Sequence, residues 1–143
     1  MTYFDDVGSF HGKFGVDNVP PPLFHKQAIR NRMIPAPHME LPRDVLKFRL
    51  DFIDEEVDEL RLAYDSDDFE KVADALADIV WVVLGLAHMH HLPFDEIWQE
   101  VKRSNMEKRK ALSTDAARHS LDIVKPEGWR PPDIKGILEK YDL

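Results

Sequence analysis

Residues 50–60, LDFIDEEVDEL, hold enough acid for metal chemistry if the acids face the right way. Placed at about 100° per residue on a helix, Val45, Leu46, Phe52, Ile53, Val57, Leu60 and Tyr64 mark an apolar arc. Asp51, Asp54 and Asp58 fall opposite it, beside Lys47 and Arg61, where a solvated face belongs. Glu56 falls inside the arc between Phe52 and Leu60, Glu59 between Phe48 and Phe52, and Glu55 at the edge near Leu62. The spacing therefore predicts that two or three glutamates point toward the core.

The next apolar segment adds two more acids. Residues 75–87 are apolar nearly all round, so they belong in the middle of a bundle. Asp74 and Asp78 nevertheless stand there one turn apart, with Trp81 and Gly85 continuing their side. A carboxylate stripped of water must be protonated, paired with a cation or bound to a metal. The inward arcs offer several acids and, apart from Arg49, almost no Lys or Arg. Facing acids across a helix pair suggest a shared divalent metal, and oxygen-only ligands favour a hard ion such as Mg²⁺ or Mn²⁺. The competing readings are a solvated acidic stripe for Glu55, Glu56 and Glu59, and an Asp78 satisfied by a hydroxyl or by Arg49. A di-iron centre would need Glu-x-x-His, and no His stands three residues after Glu56 or Asp78. His88, His90 and His91 resemble a metal cluster, but they sit at a helix end, where imidazoles favour the dipole.

A third group is cationic. Phe94, Ile97, Trp98 and Val101 define an apolar face that Asn105 and Lys108 continue, while Arg103 points away. An amide and an ammonium near an acidic metal cluster make sense if a phosphate chain lies between them, with Lys108 neutralising one side. Further on, KPEGWRPP brings Lys125, Trp129 and Arg130. This stretch is either a substrate-contacting loop or a tail strapped to the bundle by Trp129.

These residues need helices to hold them. Tyr3–Lys13 reads as a short amphipathic helix stopped by Gly15, and Pro42 opens a second helix running to about Tyr64. DSDD makes a turn and caps a third helix, about Phe69–His90, and LPFDEI starts a fourth, about Asp95–Ala111. A last short helix is expected near Ile134–Lys140. Between the first two helices, about 16–42, VPPP, PAP and LP make a Pro-rich connection with one helical turn near His25–Ile29. A C-terminal tail begins at about 112. No period-2 strand or internal repeat is expected. The class is all-α: an antiparallel helix hairpin within a four-helix bundle, completed by oligomerisation because so apolar a third helix needs cover.

Length and composition agree. A chain of 143 residues with 43% hydrophobic content suits one globular domain spanning 1–143. No cysteine is present, which excludes disulfides and thiolate metal sites and fits a reducing cytoplasm. MTYFDDVGSF lacks the basic flank and apolar core of a signal peptide. The longest apolar run, Ile79–Ala87, is too short to cross a bilayer. A formal net charge of −8 argues against a nucleic-acid partner.

EEVDE on one helix, DALAD on the next and VKRSNMEK on a third resemble the all-α nucleoside triphosphate pyrophosphohydrolases. That superfamily includes MazG, the phosphoribosyl-ATP pyrophosphohydrolases and the dimeric dUTPases. FHGKFG and VKPEGWRPPDIKGIL resemble its compact MazG-like and phosphoribosyl-ATP-pyrophosphohydrolase-like members. The resemblance implies Mg²⁺-dependent hydrolysis of a nucleoside triphosphate to monophosphate and pyrophosphate, in nucleotide-pool house-cleaning, by a homodimer or homotetramer. It implies Glu56, Glu59 and Asp78 as metal ligands and Glu55 as the acid that orients or deprotonates the attacking water. The family pattern is EExxE followed by ExxD, and Ala75 stands here where ExxD has its glutamate. Asp74, one residue earlier, is the candidate replacement. Two alternatives stand beside this reading: a phosphoribosyl-ATP pyrophosphohydrolase proper, and a non-catalytic helical module binding a nucleotide or metal.

Overall fold

Helix starts and stops follow local capping chemistry. The computed structural model describes residues 2–16, 41–112, 115, 119 and 122–143. The turn expected at His25–Ile29, nearly all of the Pro-rich connection and part of the tail lie outside the described residues. Helix α1, Tyr3–Phe14, opens on a capping box in which Thr2 and Asp5 bond reciprocally, and it ends at Gly15, whose φ of 64° suits glycine. Helix α2, Arg43–Asp65, begins just after Pro42, which occupies the capping position rather than the first turn. Helix α3, Phe69–Met89, is capped by Asp68, whose carboxylate accepts from the Lys71 N–H at 3.1 Å. His90 closes that helix, and His88 is used in packing against α1.

Helix α4, Phe94–Met106, ends well before the expected Ala111. The bonds that form just beyond its end favour a different path. Arg109 makes a two-pronged ion pair with Asp115 at 2.9 and 3.0 Å, and Asp115 also accepts from the Leu112 N–H. This pulls the chain out of helix, and a minimal antiparallel pair forms where no strand was expected: β1, Arg109–Lys110, against β2, Ile123–Val124. Helix α5, Ile134–Lys140, follows, capped by Asp133. Five helices and one two-residue strand pair among the described residues make the chain all-α.

The chain divides into two compact units, residues 1–92 with 142–143, and residues 93–141. In the first, α2 and α3 form the expected antiparallel hairpin. The buried residues of α2 recur in steps of seven, Arg49, Glu56 and Ala63, and on α3 Ala75, Val82 and Met89 repeat that step beside Val72, Leu84, Gly85 and Ala87. Such spacing keeps one narrow strip of α2 facing α3, while α3 buries a broader face because α1 also packs on it. Helix α1 packs on α3 through Val7 and His11, both buried, and through His88. The His88 ring stacks on Phe4 with centroids 3.6 Å apart, and its Nε2 donates to the Phe4 carbonyl at 2.6 Å. The run Ile79–Ala87 is short, yet the whole of α3, at 21 residues, is long and apolar enough by composition to cross a bilayer. Core helices pass the same test, and α3 is packed against α1 and α2.

Gly85 meets side chains from both α2 and α1. A Cβ there would overlap the Arg49 guanidinium and stand 2.9 Å from His11 Nε2. Arg49 is buried and donates to the Val82 carbonyl at 3.1 Å, and His11 is buried too, so neither moves freely. Gly85→Ala should therefore destabilise the protein by about 1–3 kcal/mol, the usual cost of overpacking a filled core. Denaturant unfolding checks this, and unchanged stability would mean that the contact relaxes without cost.

In the second unit, α5 is tied to α4 by charge. Lys140 pairs with Glu96 at 2.9 Å, and Glu100 accepts from Arg103 and from the Asp133 N–H. The Arg103 bonds and that N–H hold the Glu100 carboxyl down to about 2.

Candidate active site

Helix α2 contributes Glu55, Glu56 and Glu59, and α3 contributes Asp74 and Asp78, all within the first unit. Glu56 lies in the helix seam and is 8% exposed. Arg49, two turns earlier in the same strip, reaches Val82. Because the helices run antiparallel, a seven-residue step along α2 and one back along α3 bring Glu56 to the stretch of α3 that holds Ala75 and Asp78. Ala75, the departure from ExxD, is buried within the same hairpin as Glu56.

The electrostatics place the other acids. Burial pushes the Glu56 carboxyl up, and the charges of Asp78, Glu59, Glu55 and Asp74, in that order, push it further. All four are near enough to oppose its ionisation. Asp78 is half-buried, whereas Glu55, Glu59 and Asp74 are exposed. This corrects the expectation that two or three glutamates face inward: only Glu56 does. The physical reason is that α3 covers the strip of Arg49, Glu56 and Ala63. The adjacent strip of Phe48, Glu55, Glu59 and Leu62 stays open, with Phe48 64% and Leu62 67% exposed.

Among the described residues no three Asp, Glu or His side chains stand close enough together, as they are oriented, to hold a metal ion. The acids are gathered without forming a closed coordination shell. Their chemistry nevertheless fits a hard cation. The donors are all carboxylate oxygens, one of them is buried among like charges, and a divalent ion would offset the repulsion.

The cationic candidates lie in the second unit. Lys108 Nζ donates to Asn105 Oδ1 at 2.7 Å and stands 5.6 Å from the Trp129 ring centroid, with Lys125 Nζ at 4.4 Å. Asn105, Lys108, Lys125 and Trp129 are thus brought together. Arg130 is not part of this group. It lines a groove of about 490 Å³ with Glu100, Arg103 and Asp133. Trp129 Nε1 donates to the Ser104 carbonyl at 2.8 Å, which fixes one edge of the indole on α4 while Lys108 and Lys125 stand over its ring. Ser104, 2% exposed, escaped the sequence reading, although its spacing from Ile97 and Val101 continues the apolar face. Charge is also divided. Residues 93–141 carry ten Lys or Arg against nine Asp or Glu, so the excess negative charge belongs to the unit holding the carboxylates.

An all-α chain whose central hairpin carries EExxE on one helix and paired aspartates on the next has the organisation of a helical nucleotide pyrophosphohydrolase. Residues 24–105, more than half of the chain, match the family model described as phosphoribosyl-ATP pyrophosphohydrolase, and the chain belongs to that family. No curated protein matches it significantly. Membership implies a pyrophosphohydrolase acting on a nucleotide, and enzymes of this family generally depend on a divalent metal. The match spans α2, α3 and nearly all of α4 and stops before Lys108, Lys125, Trp129 and Arg130.

Proposed function

We propose that this protein is a Mg²⁺-dependent hydrolase that cleaves a nucleoside triphosphate between the α and β phosphates, releasing nucleoside monophosphate and pyrophosphate. The observation that carries this reading is the buried Glu56, surrounded by four carboxylates on the hairpin that the family match covers. Glu56, Glu59, Asp78 and Asp74 are the ligand set, and Mn²⁺ would be accepted by the same oxygen donors. When bound, the metal neutralises phosphate oxygens and stabilises the charge that develops on them. Glu55, exposed and adjacent in sequence to Glu56, accepts a hydrogen bond from the attacking water and takes its proton. Asn105, Lys108, Lys125, Trp129 and Arg130 are the substrate contacts, with Lys108 on the phosphates. The whole chain acts as one hydrolase domain within a homodimer or homotetramer in the cytoplasm. House-cleaning of the nucleotide pool is the corresponding role.

The family description favours a second reading, in which phosphoribosyl-ATP is the substrate and the bond broken is the same. Pyrophosphate release from phosphoribosyl-ATP and from a panel of canonical and modified triphosphates separates the two. The preferred substrate is the one with the higher kcat/KM, and release from none would leave a binding module.

Ala75 makes Asp74 the residue to test. Ala75 is buried, whereas Asp74 is exposed but near enough to push the Glu56 carboxyl up. Asp74 lies one turn from Asp78, so both can lean to one ion directly or through water. Asp74→Asn should cut activity roughly tenfold or more and raise the Mg²⁺ requirement. Adding Ala75→Glu should recover part of both. Wild-type behaviour of Asp74→Asn would reduce the set to three carboxylates and make Glu55 share the metal.

A further inference from the structure

Two aromatic rings on α2 lie beside the carboxylates, the outer one open to solvent. Phe48 is 64% exposed and Phe52 half-buried, with ring centroids 6.3 Å apart and planes inclined by 30°. Helical spacing puts Phe48, Phe52, Glu55 and Glu59 in one strip about 60° wide. Phe48 precedes Glu55 by seven residues, about 10 Å of helix rise, and Phe52 precedes Glu59 by the same interval. The inner ring is held in place. The Arg49 guanidinium stands 5.6 Å from the Phe52 centroid and is itself anchored on the Val82 carbonyl. The outer ring presents itself to solvent.

Once a divalent cation neutralises the glutamates, an open phenyl ring two turns away suits a ligand with an anionic end and a flat apolar end. We propose that Phe48, backed by Phe52, is a stacking ledge for the base of the nucleotide whose phosphates lie at Glu55, Glu56 and Glu59. This rests on the hydrolase reading and adds the residues that hold the base. Stacking on a ring tolerates any base, because every base has a π face. The ledge therefore supplies affinity for a nucleotide over bare polyphosphate and leaves base choice to other contacts.

Phe48→Leu keeps apolar bulk and removes the ring, and Phe48→Trp enlarges the ring. With Mg²⁺ present, Phe48→Leu should raise KM for the preferred nucleotide about five- to hundredfold, the loss expected for one stacked base. The inhibition constant of inorganic pyrophosphate, which has no base, should not change. Phe48→Trp should bind nucleotide at least as well as wild type, and its added fluorescence should be quenched by nucleotide but not by pyrophosphate. Unchanged KM in Phe48→Leu overturns the ledge, as does an equal rise in KM and in the pyrophosphate constant. An altered oligomeric state with unaltered KM also overturns it, by assigning Phe48 to contact with a second copy. If wild type releases pyrophosphate from no nucleotide, the hydrolase reading fails on its own, and nucleotide quenching of Phe48→Trp still decides the ledge.

Discussion

Glu56→Gln should lose turnover by roughly a hundredfold or more, yet yield a metal-free protein more stable than wild type at neutral pH. The loss follows from the proposed ligand role. A bound metal is worth several kcal/mol of charge stabilisation, and each 1.36 kcal/mol is about a decade of rate. The gain in stability follows from the carboxyl being pushed above its usual 4.5 by burial and by Asp78. An acid whose folded-state pKa is raised binds more protons folded than unfolded across that interval, so stability falls as pH rises through it. Metal-free wild type should therefore weaken from about pH 4.5 upward. Glu56→Gln, which cannot ionise, should escape that loss and match wild type below it. The stability difference at neutral pH should be about 1–3 kcal/mol, the scale for a buried group without compensation. Mg²⁺ should reverse the order by raising the melting temperature of wild type alone. Thermal melts of both proteins across pH, with and without Mg²⁺, check every part. Full wild-type activity in excess EDTA, or a Glu56→Gln variant that Mg²⁺ still stabilises, would contradict the ligand role.

Glu55→Gln should separate chemistry from binding. Glu55 is exposed on the open strip, while its neighbour Glu56 is buried in the seam. A glutamine keeps the size and the hydrogen-bonding carbonyl but cannot take a proton. The variant should therefore retain Mg²⁺ affinity and substrate KM while kcat falls about 10²–10⁴-fold, the usual contribution of a positioned general base. Mg²⁺ titration and steady-state kinetics on one preparation make the comparison. A parallel rise in the Mg²⁺ requirement would instead place Glu55 among the ligands.

What was legible in the sequence was what short-range chemistry decides. Gly15, Asp68 and Asp133 end or cap helices by local bonds, and α1, α3 and α5 begin and stop within a residue or so of their expected limits. The solvated side of α2 was equally readable, since the ion pairs Lys47–Asp51 and Arg61–Asp58 form on the side opposite the apolar arc. Arg49 stood out as an inward cation, and it is buried. What was not legible depends on which neighbour covers which strip. Periodicity gives directions around an axis, so Glu56 and Glu59 both fell inside the apolar arc, but α3 reaches only Glu56. Likewise α4 ends early because Arg109 finds Asp115 across a polar stretch, and Trp129 straps the tail through a backbone carbonyl that no side-chain pattern records. The inward positions of Glu56 and Asp78 were therefore within reach of the sequence, and the openness of Glu55 and Glu59 was not.

The proposed chemistry turns on which phosphoanhydride bond is broken. Incubation of a nucleoside triphosphate with the protein and Mg²⁺, followed by phosphorus NMR of the products, tests it most directly. Cleavage between the α and β phosphates predicts nucleoside monophosphate and pyrophosphate in equal amounts from the first turnover, with neither formed by Glu56→Gln at a comparable rate. Nucleoside diphosphate and orthophosphate as the primary products would contradict it.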